Sequence, residues 1–142
     1  MTAPAGLLQI HIDGGSRGNP GPAGFGVYVQ DASGAEVASL YGFLGVATNN
    51  VAEYQGLIHG LRFALARGAR QVHVFSDSEL VVKQMDGRYK VKHENMVPLH
   101  REARALMARL PDVKLTHVRR EQNKDADRLA NQALDEKASK LS

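Results

Sequence analysis

Four carboxylates stand out in this chain by where they sit. Asp13 follows the apolar run Leu7, Leu8, Ile10, Ile12, in which Leu8, Ile10 and Ile12 alternate with Gln9 and His11 in the period-two pattern of a strand. A Gly/Pro-rich turn, Gly14-Gly-Ser-Arg-Gly-Asn-Pro-Gly-Pro22, comes next, and its glycines leave the backbone open to a large partner. Asp77 likewise ends an alternating run, Gln71-Val-His-Val-Phe-Ser. Glu53 and Asp127 belong to helical patterns. Counting by four from Glu53 reaches Leu57 and Leu61, and Ala130 and Leu134 lie three and seven residues beyond Asp127, so both acids point along buried stripes. Glu53 is expected in the first turn of its helix. An acid at a helix start often does no more than complement the macrodipole; two such inward acids beside two strand-end acids ask for more.

Four converging carboxylates cannot all stay ionised without compensation. Two like charges ~4 Å apart repel by about 4 kcal/mol at an effective dielectric near 20. Either some take up protons at raised pKa or hard cations lie among them. With no cysteine in the chain, all-oxygen ligation favours Mg²⁺, with Mn²⁺ as substitute. Two such ions can activate water and stabilise the leaving oxygen of a phosphodiester. The chemistry expected from these residues is metal-assisted phosphoryl transfer.

The elements that must position the acids follow in order. Gly24–Gln30 and Glu36–Leu44 read as second and third strands joined through the turn residues Asp31-Ala-Ser-Gly34. Thr48 or Asn49 can cap a helix that Gly68 ends. The strand 71–77, a short helix 78–85, a polar basic connection 86–94 and a longer helix stopped by Pro111 come next, the latter with Met96, Leu99, Ala103, Leu106, Met107 and Leu110 on one stripe. A last strand spans 113–118, a charged loop 119–124, and a final helix runs from Asp125 to about Lys137. Short connections make the first three strands an antiparallel meander, while right-handed helical crossovers bring the later strands in parallel. The fold class is therefore α/β, a five-stranded mixed sheet in order 3-2-1-4-5 with helices on both faces. Strands 1 and 4 then lie side by side, with Asp13 and Asp77 at one edge, where open sheets place their sites.

At 142 residues, 43% apolar and 23% charged, the chain suits a single soluble domain over 1–142, with 1–6 and 138–142 expected as frayed termini. The absence of cysteine removes disulfides, thiolate metal sites and Cys nucleophiles. No apolar window approaches a membrane span, so no membrane partner is expected and a cytoplasmic monomer is the default. The formal net charge is only +3, but residues 1–60 hold one basic side chain, Arg17, and the other 17 fall between Arg62 and Lys140. A basic half beside an acidic cluster suits a polyanion held near cations. His11, His59, His73, His93 and His100 show no metal-ligand spacing and read as surface or core residues.

With these residues in hand, the chain resembles type 1 ribonuclease H from about Leu7 to Leu134. The likeness rests on Ile12-Asp-Gly-Gly-Ser-Arg-Gly-Asn-Pro-Gly-Pro22, Thr48-Asn-Asn-Val-Ala-Glu-Tyr54, Phe75-Ser-Asp-Ser78 and Asn123-Lys-Asp-Ala-Asp-Arg-Leu-Ala-Asn131, in that order. The resemblance implies hydrolysis of the RNA strand of an RNA/DNA hybrid by two Mg²⁺ ions, leaving 5′-phosphate and 3′-hydroxyl ends. It puts Asp13 on both ions, Glu53 and Asp77 on the one beside the attacking water, and Asp127 on the other. It also implies substrate contacts from Gly15, Ser16, Asn19 and Asn49, and a DNA-phosphate pocket at Thr48 and Asn95. For Thr48, Asn49 and Asn95, helix capping is an equal explanation of their identity.

Two departures from the family pattern matter. The loop Arg119-Arg-Glu-Gln-Asn-Lys124 has no histidine where many members carry one, which leaves Arg120 or Glu121 as possible assistants; His117 is expected to play a structural role within a strand. The variant loop resembles that of members that also cut double-stranded RNA, a second substrate to test. The long basic insertion is missing too, and only Arg88, Lys90 and Lys92 remain around Tyr89, so substrate binding should be weaker and strongly salt-dependent. Alternative readings are another nuclease or strand transferase of the same fold, such as an integrase or resolvase, and a non-catalytic hybrid-binding module.

Overall fold

The computed structural model describes residues 6–142. Its strands are β1 (Leu7–Ser16), β2 (Gly21–Asp31), β3 (Glu36–Ala47), β4 (Gln71–Ser76) and β5 (Val113–His117). Its helices are α1 (Asn49–Ala66), α2 (Glu79–Met85), α3 (Val97–Ala108) and α4 (Lys124–Glu136), with a single 3₁₀ turn at Arg120–Gln122 before α4. The sheet order is β3-β2-β1-β4-β5, with β1–β2 and β2–β3 antiparallel and β1–β4 and β4–β5 parallel. This is the expected architecture.

One detail of register places the site. Asp13 does not end β1, as expected; the antiparallel ladder with β2 continues to Ser16↔Ala23. What ends is the parallel ladder with β4, whose last pair is Ile12↔Ser76. Asp13 and Asp77 are the next residue on each chain, side by side at the point where the two strands part.

Alternation decides which residues enter the core. Leu8, Ile10, Ile12, Phe25, Val27, Val29, Val72 and Val74 face one way and are closed over by Leu57, Ile58 and Leu61 of α1 and by Ala103 and Leu106 of α3. Burying each large aliphatic side chain contributes about 1.5–3 kcal/mol. On the other face, α4 sets Leu129 and Ala133 against Tyr41 of β3, with Tyr28 of β2 packed alongside. The uncovered half of that face carries His11 stacked on Phe75 at 4.8 Å, and His73 beside Phe75 at 4.0 Å with a ring nitrogen 2.7 Å from Thr116 Oγ1. These histidines hold the core and surface roles expected of them.

Two glycines let helices lie directly on the sheet. A Cβ at Gly14 would run into the Ala52 carbonyl and the Glu53 nitrogen of α1, and one at Gly26 would meet the Ala126 carbonyl of α4. Only a residue without a side chain allows either approach, and each approach brings an acid-bearing turn to β1 or β2.

The C-terminal tail corrects one expectation. Tyr41 and Lys140 exchange both backbone hydrogen bonds, at 2.9 and 2.8 Å, and the Phe43 N–H donates to Ser139 Oγ at 2.9 Å. Residues 139–140 thus extend the sheet beyond its β3 edge rather than fraying. At the other end, the Gly6 carbonyl accepts from Arg70 and Gln71; residues 1–5 lie outside the described part. Among the described residues, no helix is long and apolar enough to cross a membrane.

Candidate active site

Each of the four acids is delivered by a different element. Asp13 comes from β1, Asp77 from the link between β4 and α2, Glu53 from α1 and Asp127 from the first turn of α4. Glu53 is the fifth residue of α1, so it lies one turn further in than expected. Its backbone nitrogen lies directly against Gly14 of β1, and its side chain lines the cleft. All four line one open cleft of about 690 Å³.

Crowding is written into their protonation. Burial, then the charge of Asp77 and the contact and charge of Asp127, pushes Asp13 up to about 8, against the Gly14 N–H that donates to its Oδ1 at 2.9 Å. Burial also raises Asp77, while the Asp13 contact and the Arg120 guanidinium pull it back and Asp127 pushes it up. Glu53 is pushed up to about 7 by burial; its hydrogen bond with Ser78 opposes this and the charge of Asp77 adds to it. Asp13 is the hub, its protonation tied to both Asp77 and Asp127. Among the described residues, no three of these side chains close on one point tightly enough to cage an ion.

Such a donor set fits hard divalent cations. Every donor is a carboxylate oxygen, and ions among them would offset the burial and mutual charge that raise Asp13 and Glu53.

The substrate residues expected from the sequence divide. Gly15, Ser16 and Asn49 line the cleft with the acids, whereas Asn19, Thr48 and Asn95 do not. Asn49 Oδ1 accepts from the Ser16 N–H at 2.7 Å and from Ser16 Oγ at 3.1 Å, and the Asn49 N–H donates to Asn19 Oδ1 at 3.1 Å. These bonds tie the glycine-rich turn to the start of α1, so Asn19 backs the wall that Asn49 forms. Thr48 is the N-cap, its Oγ1 accepting from Val51 at 3.3 Å. Asn95 stays exposed before α3 and supplies no cap there. Of the three capping explanations, only that for Thr48 holds. Arg120 lines the cleft, and Glu121 stays exposed outside it.

Five participants were not assigned to the site from the sequence. His117 ends β5 exposed and on the rim of the cleft, so the structural role expected for it is corrected. Ser78 caps α2 through Val81 at 3.2 Å and also meets Glu53. Asn123, 1% exposed, donates through Nδ2 to the Ile12 carbonyl at 2.8 Å. Arg17 and Asn131 wall the Asp127 end. An asparagine four residues before the last acid was the one available signal for Asn123; the others have none in local pattern.

Comparison with known proteins agrees with the fold. A family model described as reverse transcriptase-like matches residues 11–133. The crystal structure of ribonuclease H1 from the archaeon Halobacterium salinarum superposes with a TM-score of 0.89 at 40% identity, covering 92% of this chain and 99% of that one. The chain belongs to the type 1 ribonuclease H family. Another type 1 ribonuclease H, LC11, solved in complex with an RNA/DNA hybrid, matches with a TM-score of 0.87 at 40% identity, over 92% of this chain and 98% of that one. A bifunctional protein of Mycobacterium tuberculosis is 50% identical over 129 residues, which cover 90% of this chain but 35% of that protein. The chain thus spans about a third of the length of that ribonuclease H relative.

Proposed function

We propose that this chain is an endoribonuclease that hydrolyses the RNA strand of RNA/DNA hybrids, leaving 5′-phosphate and 3′-hydroxyl ends, and that it works as a cytoplasmic monomer. The observation that carries the reading is the meeting of Asp13, Glu53, Asp77 and Asp127, from four separate elements, in one cleft where burial and mutual charge raise Asp13 and Glu53. The hybrid complex of the LC11 relative supports the choice of substrate.

Drawn closer than they stand in the free chain, Asp13, Glu53 and Asp77 would hold one Mg²⁺ and Asp13 with Asp127 the other, Mn²⁺ being the natural substitute. When bound, the pair supplies an activated water and charge stabilisation at the leaving oxygen. The chain's own side chains do the rest. Glu53 and the Asn49–Ser16 wall face the strand to be cut, where a ribose 2′-hydroxyl is the group that separates RNA from DNA. Arg120, close enough to hold down the pKa of Asp77, offers positive charge beside the reacting phosphate.

The test is cleavage of one labelled RNA strand presented in a hybrid, in an RNA duplex and alone, with and without Mg²⁺, by wild type and Asp13→Asn. Mg²⁺-dependent cutting of the hybrid, lost in the variant, is expected. Cutting of the duplex as well would add double-stranded RNA, as the loop 119–124 suggests. Binding without cutting would make the chain a hybrid-binding module, and joining or exchange of strands would make it a transferase.

A further inference from the structure

Arg17 is the one basic side chain among residues 1–60, and it stands in the wall of the acidic cleft. Its guanidinium donates to Asp135 Oδ1 at 2.6 Å and reaches Asn131 Oδ1 at 3.5 Å, both on α4. Asn131 in turn donates to the Asp127 carbonyl at 3.0 Å. The guanidinium is thus parked along α4, with Asn131 between it and the turn that carries Asp127.

The fold has little need of this ion pair. The turn bearing Arg17 is closed by its own backbone, through Arg17 N–H to the Pro22 carbonyl at 2.8 Å, and α4 is held by Leu129 and Ala133. The Arg17 and Asp135 side chains are 50% and 65% exposed, and pairs so open to water add little to stability. Yet the pair keeps a planar five-donor cation at the mouth of a cleft whose four acids repel a polyanion.

Building on the function proposed above, we infer that Arg17 is a phosphate-binding residue for the strand lying in the cleft, and that Asp135 holds it in reserve. A backbone phosphate entering past Asn131 offers the guanidinium two oxygens in the same planar geometry as a carboxylate. The exchange costs Arg17 one ionic partner, gains it another, and releases a counterion from the nucleic acid. Only the side chain has to turn, because its backbone is anchored.

Binding of a fluorescent RNA/DNA hybrid is measured by anisotropy in EDTA across a salt series, for wild type, Arg17→Gln, Asp135→Asn and the double variant. All four should melt alike, since the pair is exposed. Arg17→Gln should weaken binding about 3–10-fold at low salt and reduce the slope of log K against log salt by about 0.9. Asp135→Asn should tighten binding about 2–5-fold, and that gain should vanish in the Arg17→Gln background, since it acts through Arg17. Equal tightening in both backgrounds would mean mere removal of a negative charge and would overturn the inference. So would unchanged binding by Arg17→Gln, or weaker binding by both single variants together with lower melting temperatures. Wild type that fails to bind the hybrid at all sinks the function proposed above as well; wild type that binds while the variants match it sinks only the role of Arg17.

Discussion

Asn123 holds Ile12: its buried side-chain amide donates to that carbonyl at 2.8 Å, while its own carbonyl accepts the Asp127 N–H at 3.1 Å. One residue thus braces the strand position beside Asp13 against the helix turn that carries Asp127. Asn123→Ala leaves the Ile12 carbonyl buried without its partner, which costs about 1–3 kcal/mol. Urea denaturation should show that loss, and the turnover number should fall as the two acids lose their fixed separation. Full activity at unchanged stability would remove Asn123 from the positioning role.

Gly14→Ala tests the approach of α1. The new methyl would strike the Ala52 carbonyl and the Glu53 nitrogen, both backbone atoms that no rotamer change can move aside. Displacing the start of α1 should cost about 1–3 kcal/mol and carry Glu53 away from Asp77. A drop in turnover larger than the stability loss explains is the expected result, read by kinetics well below the melting temperature.

Stability should depend on pH with a sign set by Asp13 and Glu53. Their folded-state values, about 8 and about 7, stand above the ordinary values of 3.8 and 4.5 for these side chains. The folded state therefore binds more protons, and this contribution is fully present below about pH 4 and lost as pH rises through 7 to 8. In EDTA, thermal melts should fall over that window by an amount on the order of a few kcal/mol. Asp13→Asn should flatten the decline and raise the melting temperature at pH 8, because one costly charge is gone. If the wild-type melting temperature does not move between pH 5 and 8 (bounds set by about the shifts above), the crowding is absent.

Divalent ions should act in the opposite sense. Mg²⁺ binds only where the folded chain brings the acids together, so saturating it about 100-fold above its dissociation constant should stabilise the fold by about 2.7 kcal/mol. The shift should grow from pH 5 to pH 8 as protons leave Asp13 and Glu53, and it should shrink in Asp13→Asn. Melting curves with and without Mg²⁺ read this independently of any cleavage.

Arg120 and Glu121 separate cleanly. The Arg120 guanidinium holds down the pKa of Asp77 from within the cleft, and Glu121 lies exposed outside it. At saturating Mg²⁺, Arg120→Ala should lower turnover about 10-fold or more, while Glu121→Ala should match wild type. The reverse ranking would return the role of loop assistant to Glu121.

How much of this was legible in the chain itself can be argued residue by residue. The alternation around Ile10 and Val74, the stripe at Leu57 and Leu61, and the breaks at Gly68 and Pro111 are local patterns, and local patterns name elements. The handedness of crossovers then left one natural order for the strands, and with it Asp13 and Asp77 as neighbours. Thr48 as cap, and the inward aim of Asp127, followed from helix geometry alone.

What only the tertiary structure decided is which distant groups bond to one another. Arg17 meets Asp135 across 118 residues and Asn123 meets Ile12 across 111; neither pairing carries a periodic mark. The closeness of Glu53 to β1 depends on Gly14 admitting the helix, the exposure of His117 on where β5 happens to stop, and the order of the tail on the free edge of β3. A side-chain pattern with a period can be read from a list of residues. A single hydrogen bond between remote positions has no period, and only the packed chain reveals it.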